Sequence, residues 1–298
     1  MFERLLVALD GSEQSETTLP YVEEMAGRLG SEVVLLRVCE SERRCPADEA
    51  RTYLEQQAKI VRRLSVERGA PVSRREVSVR TEVRMGKPAD NIIDFAAQTG
   101  IGLIVMAAHG RSGVTRWAVG SVADKVLRAT NLPMALISGP APAGRELFSR
   151  ALLPLDGSHV GEAALPYAEE LAAKMGTELV LLQVLEFKYV AYGAEVGGYV
   201  PYPQEWLNAA EQSARTYLAG IDARLRARGL KVSWRVESGS APDTIVQVAE
   251  KAKADFIAMS THGRSGMGRW VMGSVADHVV HNGKMPVILV RARPEERK

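Results

Sequence analysis

An internal repeat constrains the fold of this 298-residue chain more than any other feature of its sequence. RLLVALDGSEQSETTLPYVEEMAGRLGSEVVLLRVCE (4–40) aligns with RALLPLDGSHVGEAALPYAEELAAKMGTELVLLQVLE (150–186). A glycine-rich phrase follows in each copy: HGRSGVTRWAVGSVAD at 109–124 and HGRSGMGRWVMGSVAD at 262–277, identical at twelve of sixteen positions. Self-similarity of this kind means that one structural unit is built more than once.

The repeat also sets the expected domain boundaries. Residues 86–110 align with residues 239–263, and the two copies meet in SGPAPAGRELFSR (138–150). Gly, Pro and Ala are typical of a linker at such a junction. The sequence therefore predicts two domains of one fold, domain 1 at 1–140 and domain 2 at 148–298.

Each copy alternates short apolar runs with longer stretches of helical period, which is typical of an α/β fold. Four of the five apolar runs are nearly continuous, as in a parallel sheet covered on both faces. The sequence thus predicts two doubly wound, five-stranded parallel-sheet domains. Pro20 and Pro166 stand near the start of the first helix, where a missing N–H is tolerated. In domain 1 we expect strands at 5–9, 32–38, 75–83, 102–108 and 133–138, and helices at 15–29, 48–67, 88–98 and 121–129.

The last strand of each domain predicts how the domains meet. LPMALIS (132–138) and MPVILVRA (285–292) are apolar segments at the ends of the two copies. An exposed apolar edge strand invites aggregation, and pairing the two edges removes that liability. We therefore expect the domains to pair within the chain through these strands. A dimer of such tandem chains is a further expectation.

Composition narrows the class of protein. The chain is 46% hydrophobic and 25% charged, as in ordinary globular proteins, and its formal net charge is +2. It carries no block of Lys and Arg that would favour nucleic-acid binding. No apolar run is long enough to cross a bilayer, and MFERLLVALDGS lacks the features of a signal peptide. These observations predict a cytoplasmic protein that binds neither nucleic acid nor membrane.

The two cysteines do not form a recognisable motif. Cys39 and Cys45 are too far apart for a CxxC motif and have no Cys or His cluster beside them. The sequence predicts one half-buried thiol and one loop thiol, in keeping with a reducing compartment.

Domain 2 contains an insertion after its second strand. FKYVAYGAEVGGYVPYPQEW (187–206) replaces the shorter SERRCPAD (41–48) of domain 1. Its aromatic residues lie among Gly and Pro without helical spacing. A surface loop that packs its own aromatics is the simplest interpretation, and a flap over a ligand or a subunit contact are the alternatives.

Two phrases end strands in each copy and predict where a ligand binds. In an open parallel sheet, ligands bind beyond the carboxyl ends of the strands, where the strand order reverses. If the first and fourth strands are neighbours, Asp10 faces the loop of residues 107–121 and Asp156 faces 260–274. A carboxylate there is a candidate ligand or metal contact, although an Asx-type turn also explains it.

The glycine-rich loop suits an anion. Glycines permit close backbone approach, and Gly120-Ser121 and Gly273-Ser274 precede helices whose free N–H groups favour negative charge. Arg111, Arg116, Arg264 and Arg269 are able to add charge-assisted contacts. A capping box formed by Ser121 with Asp124, and by Ser274 with Asp277, would explain the Ser and Asp without a ligand.

Several other chemistries are disfavoured. The chain has no GxxxxGK[ST] phosphate-binding loop, and the glycine-rich phrase follows the fourth strand instead of the first, unlike a dinucleotide-binding GxGxxG. His109 and His262 have neither metal-type neighbours nor a visible nucleophile with an orienting acid. We assign no catalytic residue.

These residues resemble the universal stress protein family, and the tandem arrangement resembles its two-domain form. Nucleotide-binding members share the pattern Gly, two residues, Gly, nine residues, then Gly-Ser or Gly-Thr. Gly110 and Gly120-Ser121 fit it, as do Gly263 and Gly273-Ser274, but the first glycine is Ala107 in one copy and Ser260 in the other. The family includes members that bind ATP and members that do not, and this motif is where they differ.

The resemblance implies a binding site in each domain. Asp10 and Asp156 match the strand-one aspartate near the adenosine or its magnesium, and Val38 and Val184 fall where the second strand touches adenine. The implied nucleotide-binding residues are Leu9, Asp10, Val38, Met106, Ala107, His109, Gly110, Arg111, Gly120, Ser121 and Val122 in domain 1, and Leu155, Asp156, Val184, Met259, Ser260, His262, Gly263, Arg264, Gly273, Ser274 and Val275 in domain 2.

Two functions follow from the sequence. The first is a nucleotide-responsive stress protein that binds ATP with Mg²⁺ at the loop after strand four of each domain and changes its protein partners accordingly. No residue is placed for fast hydrolysis, so any ATPase activity should be slow. The alternative is a scaffold of the same fold whose degenerate loops bind no nucleotide. The retained glycines and arginines favour the first. An adenylating enzyme would need a second substrate pocket, for which the sequence gives no sign.

Overall fold

The computed structural model describes residues 1–67, 77–108, 119–142, 146–187, 203–263 and 272–292. Strands and helices alternate throughout these ranges. In domain 1 they are β1 (Arg4–Ala8), α1 (Glu13–Glu16), α2 (Leu19–Leu29), β2 (Glu32–Cys39), α3 (Ala47–Glu67), β3 (Val79–Met85), α4 (Pro88–Gln98), β4 (Leu103–Ala107), α5 (Ser121–Ala129) and β5 (Met134–Ile137).

Domain 2 repeats this order, with a short 3-10 helix in place of α1. Its elements are β6 (Arg150–Pro154), the 3-10 helix (Gly161–Ala164), α6 (Leu165–Met175), β7 (Glu178–Leu185), α7 (Gln204–Arg226), β8 (Val232–Ser238), α8 (Ala241–Lys251), β9 (Phe256–Ser260), α9 (Ser274–Asn282) and β10 (Val287–Val290).

All ten of these strands form one sheet, in the order β3-β2-β1-β4-β5-β10-β9-β6-β7-β8. Within each half the neighbouring strands are parallel, and β1 pairs with β4 as expected, with Leu5 opposite Leu103. The halves join through β5 and β10, which run antiparallel with Ala135 opposite Ile288. The predicted fold class and the predicted pairing of the last strands are both confirmed.

The side chains of the strands alternate between two apolar cores, one on each face of the sheet. Leu5, Val7 and Leu35 point to one core, and Leu6 and Val34 point to the other. Each core includes residues of both domains, so helices cover the sheet on both faces across the joint. This is the burial that continuously apolar strands predict.

The segment predicted as a linker ends in the core. Leu147 and Phe148 are 2% and 3% exposed, and the ring of Phe148 makes edge contacts with Tyr21 at 6.1 Å and Phe256 at 5.1 Å. Because Tyr21 belongs to domain 1 and Phe256 to domain 2, Phe148 packs the two domains together. The Gly and Pro content of 138–150 predicted a linker, and it did not indicate that Leu147 and Phe148 at its end are buried.

Two predicted elements differ from the structure. The helix expected at 15–29 is split into α1 and α2, and Pro20 stands in the first turn of α2. Proline has no N–H to bind the carbonyl four residues earlier, so the chain does not continue as one regular helix from α1 into α2. The third strand was expected at 75–83 and is found at Val79–Met85.

The cysteine prediction is wrong: Cys39 and Cys45 form a disulfide, with their Cα atoms 5.5 Å apart. A turn in the intervening loop, in which Arg44 N and Cys45 N both donate to Ser41 O at 3.1 Å, brings Cys45 back to the end of β2. Sequence spacing alone does not reveal that return.

The insertion 187–206 falls largely outside the described residues, which resume at 203. Its final residues belong to α7, where Trp206 is 66% exposed. Within the described parts of the chain, no helix is both long and apolar enough to cross a membrane.

Candidate functional site

A cavity of about 360 Å³ opens at the carboxyl edge of the sheet in domain 1. It lies where β1 and β4 are neighbours, so the chain leaves the sheet in opposite directions on either side of it. Its lining comes from the ends of β1, β2 and β4, the start of α4 and the start of α5: Ala8, Leu9, Asp10, Ser15, Leu36, Arg37, Val38, Cys39, Glu40, Arg44, Cys45, Pro88, Ile92, Met106, Ala107, Gly120, Ser121, Val122 and Ala123. The volume is that of a small-molecule site.

Asp10 supplies a carboxylate to this cavity from the end of β1. Its Oδ1 accepts hydrogen bonds from Ser12 N at 2.9 Å and Ser12 Oγ at 2.5 Å. Asp156 makes the same turn in domain 2, with Ser158 N at 3.0 Å and Ser158 Oγ at 2.6 Å. The Asx-type turn is thus present in both domains, and in domain 1 the turn also presents the carboxylate to a cavity.

The start of α5 forms another part of the wall. Gly120 N donates to Ala108 O at 2.7 Å, which attaches the helix to the end of β4, and Gly273 N donates to Thr261 O at 2.8 Å in the same way. Ser121 is the first residue of α5 and is exposed. The first N–H groups of a helix have no partner within it, so this end presents donors to the cavity.

The predicted capping boxes are absent. The N-caps of α5 and α9 are Gly120 and Gly273, and neither helix has a side-chain cap bond. A capping box needs serine at the N-cap, but both helices begin one residue later, with serine as their first helical residue. Asp124 binds Arg128 Nε at 2.8 Å, so its role is an ion pair along the helix.

Apolar side chains form another part of the lining. Val38, Ile92 and Met106 line the cavity together with Leu9 and Leu36. Val38 and Ile92 come from β2 and α4, which pack on the same side of the sheet. An apolar slot beside a helix N-terminus suits a ligand with a flat apolar end and an anionic end.

In domain 2, two glycines lie close to the carboxylate of Asp156. A Cβ on Gly161 would lie 2.2 Å from Asp156 Oδ1, and one on Gly263 would lie 2.6 Å from Asp156 Oδ2. Ser260 and His262 are 6% and 9% exposed. His262 Nδ1 lies 2.9 Å from Thr261 Oγ1. A side chain at position 263 would therefore displace the carboxylate of Asp156.

The structure brings most of the predicted site residues of domain 1 together. The cavity is lined by Leu9, Asp10, Val38, Met106, Ala107, Gly120, Ser121 and Val122. In domain 2, Leu155 and Met259 are buried, Val184 and Val275 pack against the core, and Gly273-Ser274 begins α9. His109, Gly110, Arg111, Arg116, Arg264 and Arg269 lie outside the described residues.

Sequence reasoning missed the part of the wall that follows β2. Cys39, Glu40, Arg44 and Cys45 line the cavity, as does Ser15 from α1. The available signal was positional: residues just after β2 meet the same carboxyl edge as Asp10. Arg44 and Cys45 lie in the segment that the insertion of domain 2 replaces, so the repeat does not mark them.

The two departures from the glycine pattern sit in regular strands. Ala107 is opposite Ile137 in β4, and Ser260 is opposite Val290 in β9. Extended backbone is accessible to any residue, so neither position needs the conformational freedom of glycine. The only change at Ala107 is a methyl group on the cavity wall.

The donor set fits a nucleotide with magnesium. Among the described residues no group of three His, Cys, Asp or Glu side chains could hold a metal ion by itself. Mg²⁺ beside a nucleotide is usually held by one or two carboxylates together with the phosphates. Asp10 on the cavity wall supplies such a carboxylate.

Comparison with known proteins agrees with this architecture. The model of the universal stress protein family matches residues 1–138 and again residues 147–291. The chain belongs to the universal stress protein family. Two matches along one chain make it a tandem universal stress protein, as the repeat indicated.

Relatives match either about half of the chain or nearly all of it. A universal stress protein of Mycolicibacterium smegmatis is 25% identical over 304 residues, covering 97% of this chain and 97% of the relative. One of Methanocaldococcus jannaschii is 30% identical over 158 residues, covering 51% of this chain and 88% of the relative. The crystal structure of a universal stress protein from Archaeoglobus fulgidus has a TM-score of 0.71 at 22% identity, covering 98% of this chain and 99% of that one. This likeness shows a shared fold.

Proposed function

We propose that this tandem universal stress protein binds ATP with Mg²⁺ and works in the cytoplasm as a nucleotide-responsive stress or signalling protein. The observation that carries the proposal is the domain 1 cavity of about 360 Å³, which combines an apolar slot, the carboxylate of Asp10 and the N-terminus of α5.

Two parts of the cavity lining suit different parts of the ligand. Val38, Ile92 and Met106 offer an apolar surface for a base. The first turn of α5, at Gly120-Ser121, offers backbone donors and the positive end of a helix dipole for phosphates. Asp10 lines the cavity at the switch point between β1 and β4, where it is able to contact the ribose or the metal.

The proposal extends to domain 2 through its matching parts. Gly273 and Ser274 begin α9 as Gly120 and Ser121 begin α5, and the same bond anchors each glycine to the preceding strand. Asp156 has the turn geometry of Asp10. In domain 2, Gly161 and Gly263 lie close to that carboxylate, and the counterpart of Gly161 in domain 1 is Ser15, so the two sites are not identical.

Ser121→Pro tests the phosphate end of the site. Proline is tolerated at the first position of a helix and there removes only an N–H without a helical partner, and the extended backbone of Gly120 (φ −59°, ψ 144°) suits a residue before proline. Loss of a hydrogen bond to a charged phosphate should weaken ATP binding about 10- to 100-fold in calorimetric titration. Ser121→Ala keeps the N–H and should bind more tightly than Ser121→Pro, and Ser274→Pro is the matched variant of domain 2.

A second set of titrations separates the binding protein from the scaffold. Asp10→Ala should weaken ATP binding mainly when magnesium is present, and mass spectrometry should find nucleotide retained by the purified protein. If the parent retains none and binds none, while Ala107→Gly or Ser260→Gly gains binding, the chain is a lapsed binder. In that outcome the scaffold function replaces the one proposed.

A further inference from the structure

We infer that the Cys39–Cys45 disulfide is a thiol–disulfide exchange site that sets the nucleotide affinity of domain 1. This inference rests on the proposed function, because it assigns a form of regulation to the same cavity. It takes low-molecular-weight or protein dithiols as reductants and disulfides as oxidants.

The two sulfurs join a fixed element to a loop. Cys39 is the last residue of β2, is 1% exposed, and its carbonyl accepts a hydrogen bond from Gly86 N at 2.9 Å. Cys45 stands in the loop before α3 and is only partly buried. The disulfide therefore fastens the far end of the loop to the sheet.

Other bonds shape the loop without attaching it to the strand. Arg44 N and Cys45 N donate to Ser41 O, within the loop, and Ala47 N donates to Glu42 Oε1 at 3.0 Å, at the start of α3. Reduction would leave these local bonds in place and remove the covalent tie to β2. The loop would then move relative to the end of the strand.

That loop is a wall of the cavity. Cys39, Glu40, Arg44 and Cys45 all line it, next to Val38. Arg44 is exposed, so its position at the cavity mouth depends on the backbone that carries it. A tie that holds this backbone in place preorganises the wall and reduces the ordering required when a ligand binds.

Domain 2 supplies an internal contrast. The position of Cys39 is taken by Leu185, and the chain contains no cysteine besides Cys39 and Cys45. Exchange chemistry therefore acts on one of the two domains. In a compartment that keeps thiols reduced, the disulfides that do form are usually transient and redox-sensing.

The exchange reaction balances with a dithiol. One thiolate of the dithiol attacks Cys45 Sγ, the more exposed sulfur, the S–S bond breaks, and Cys39 Sγ leaves as a thiolate that takes up a proton. The second thiol of the reductant then attacks the mixed disulfide, releasing Cys45 as a thiol and an oxidised cyclic reductant. Two electrons pass from the dithiol to the protein, and a disulfide oxidant reverses the reaction.

The expected effect is weaker binding in the thiol form. Immobilising one or two side chains on binding changes affinity by about 2- to 10-fold, so reduction should raise the Kd of domain 1 for ATP by about that factor. By linkage, ATP must favour the disulfide over the dithiol by the same factor.

Calorimetric titration of the full chain with MgATP, in its disulfide form and after reduction with dithiothreitol, tests the inference. Binding to the parent should weaken on reduction, and Cys45→Ser should bind like the reduced parent whether or not reductant is present. Independently, thiol alkylation after equilibration in dithiothreitol buffers should show more disulfide with ATP than without. Ser121→Pro, which weakens the phosphate end, should lose that protection.

The titrations distinguish failure of the exchange site from failure of the proposed nucleotide binding. If both forms bind ATP with equal affinity and ATP does not change the disulfide fraction, the exchange site is overturned and the proposed function stands. If neither form binds ATP, the proposed function fails and the inference fails with it.

Discussion

At the scale of single residues, the glycines next to Asp156 leave no room for a Cβ atom beside its carboxylate. The position that a Cβ on Gly161 would take lies 2.2 Å from Asp156 Oδ1, and the same oxygen is held by Ser158 N and Oγ. The carboxylate therefore has little freedom to withdraw. The counterpart of Gly161 in domain 1 is Ser15, so the two domains arrange this turn differently.

Gly161→Ala should lower the free energy of unfolding by about 1–3 kcal/mol, the usual effect of overpacking. Gly220→Ala is the matched control, because it lies inside α7 with open space around its Cβ, and should raise stability by about 0.5–1 kcal/mol. Urea denaturation measures both. Equal effects of the two substitutions would contradict the assigned contact.

At the scale of elements, one contact recurs in both domains. Tyr53 of α3 donates from its hydroxyl to Glu16 Oε1 of α1 at 2.9 Å, and Tyr217 of α7 donates to Glu162 Oε1 at 2.8 Å. Burial, followed by the hydrogen bond to the carboxylate, raises the pKa of each tyrosine. The bond therefore ties α1 to α3 in domain 1 and the 3-10 helix to α7 in domain 2.

Tyr53→Phe should reduce stability at pH 7 by about 1.5–3 kcal/mol, since it removes a hydrogen bond to a charged group. The tyrosine pKa is raised on folding, so its stabilisation is complete below the unfolded pKa of about 10 and is lost as pH rises above it. Urea denaturation from pH 8 to 11 should show the parent and the variant converging above pH 10. A gap that widens there would show that the pKa shift has the opposite sign.

The same scale shows what the sequence could predict. Continuous apolar runs identified β1, β2, β4 and β5 because burial on both faces leaves a pattern in the residues themselves. The edge strand β3 has charged residues such as Arg80 and Arg84, so no continuous apolar run marks its bounds, and it ends two residues later than expected. The break between α1 and α2 lies just before Pro20, and helical periodicity over 15–29 does not mark it.

The site residues that could be predicted are mainly those that the internal repeat marks. Asp10, Gly120 and Ser121 were found because both domains repeat them, and Val38 was implied by the resemblance to the universal stress protein family. Arg44 and Cys45 were not found, because the insertion of domain 2 replaces their segment, and Cys39 aligns with Leu185. Whether two cysteines meet depends on the path of the loop between them.

At the scale of the whole molecule, the shared cores predict cooperative unfolding. One core contains Leu5 of domain 1, Leu171 of domain 2 and Phe148 between them. We expect one calorimetric transition whose calorimetric and van 't Hoff enthalpies agree. Phe148→Ala should lower the free energy of unfolding by about 3–5 kcal/mol and shift that transition without splitting it.

Phe95→Ala makes the same change in the core on the other face of the sheet, far from Phe148 in the sequence. Phe95 is 7% exposed, and the Arg84 guanidinium carbon lies 5.2 Å from the centroid of its ring. It too should move the whole transition, since the domains unfold together. Two separate transitions in either variant would mean that the domains are only loosely coupled.

Because β5 and β10 pair antiparallel, the strands of one half-sheet run in the direction opposite to those of the other. Their carboxyl edges then face opposite ends of the molecule, so whatever occupies one edge cannot touch the occupant of the other. Two identical polypeptides meeting in this way would have to carry every substitution twice. Because a single polypeptide forms both halves here, each half is free to diverge. The disulfide Cys39–Cys45 in domain 1, with Leu185 at the position of Cys39 in domain 2, is an example of such divergence.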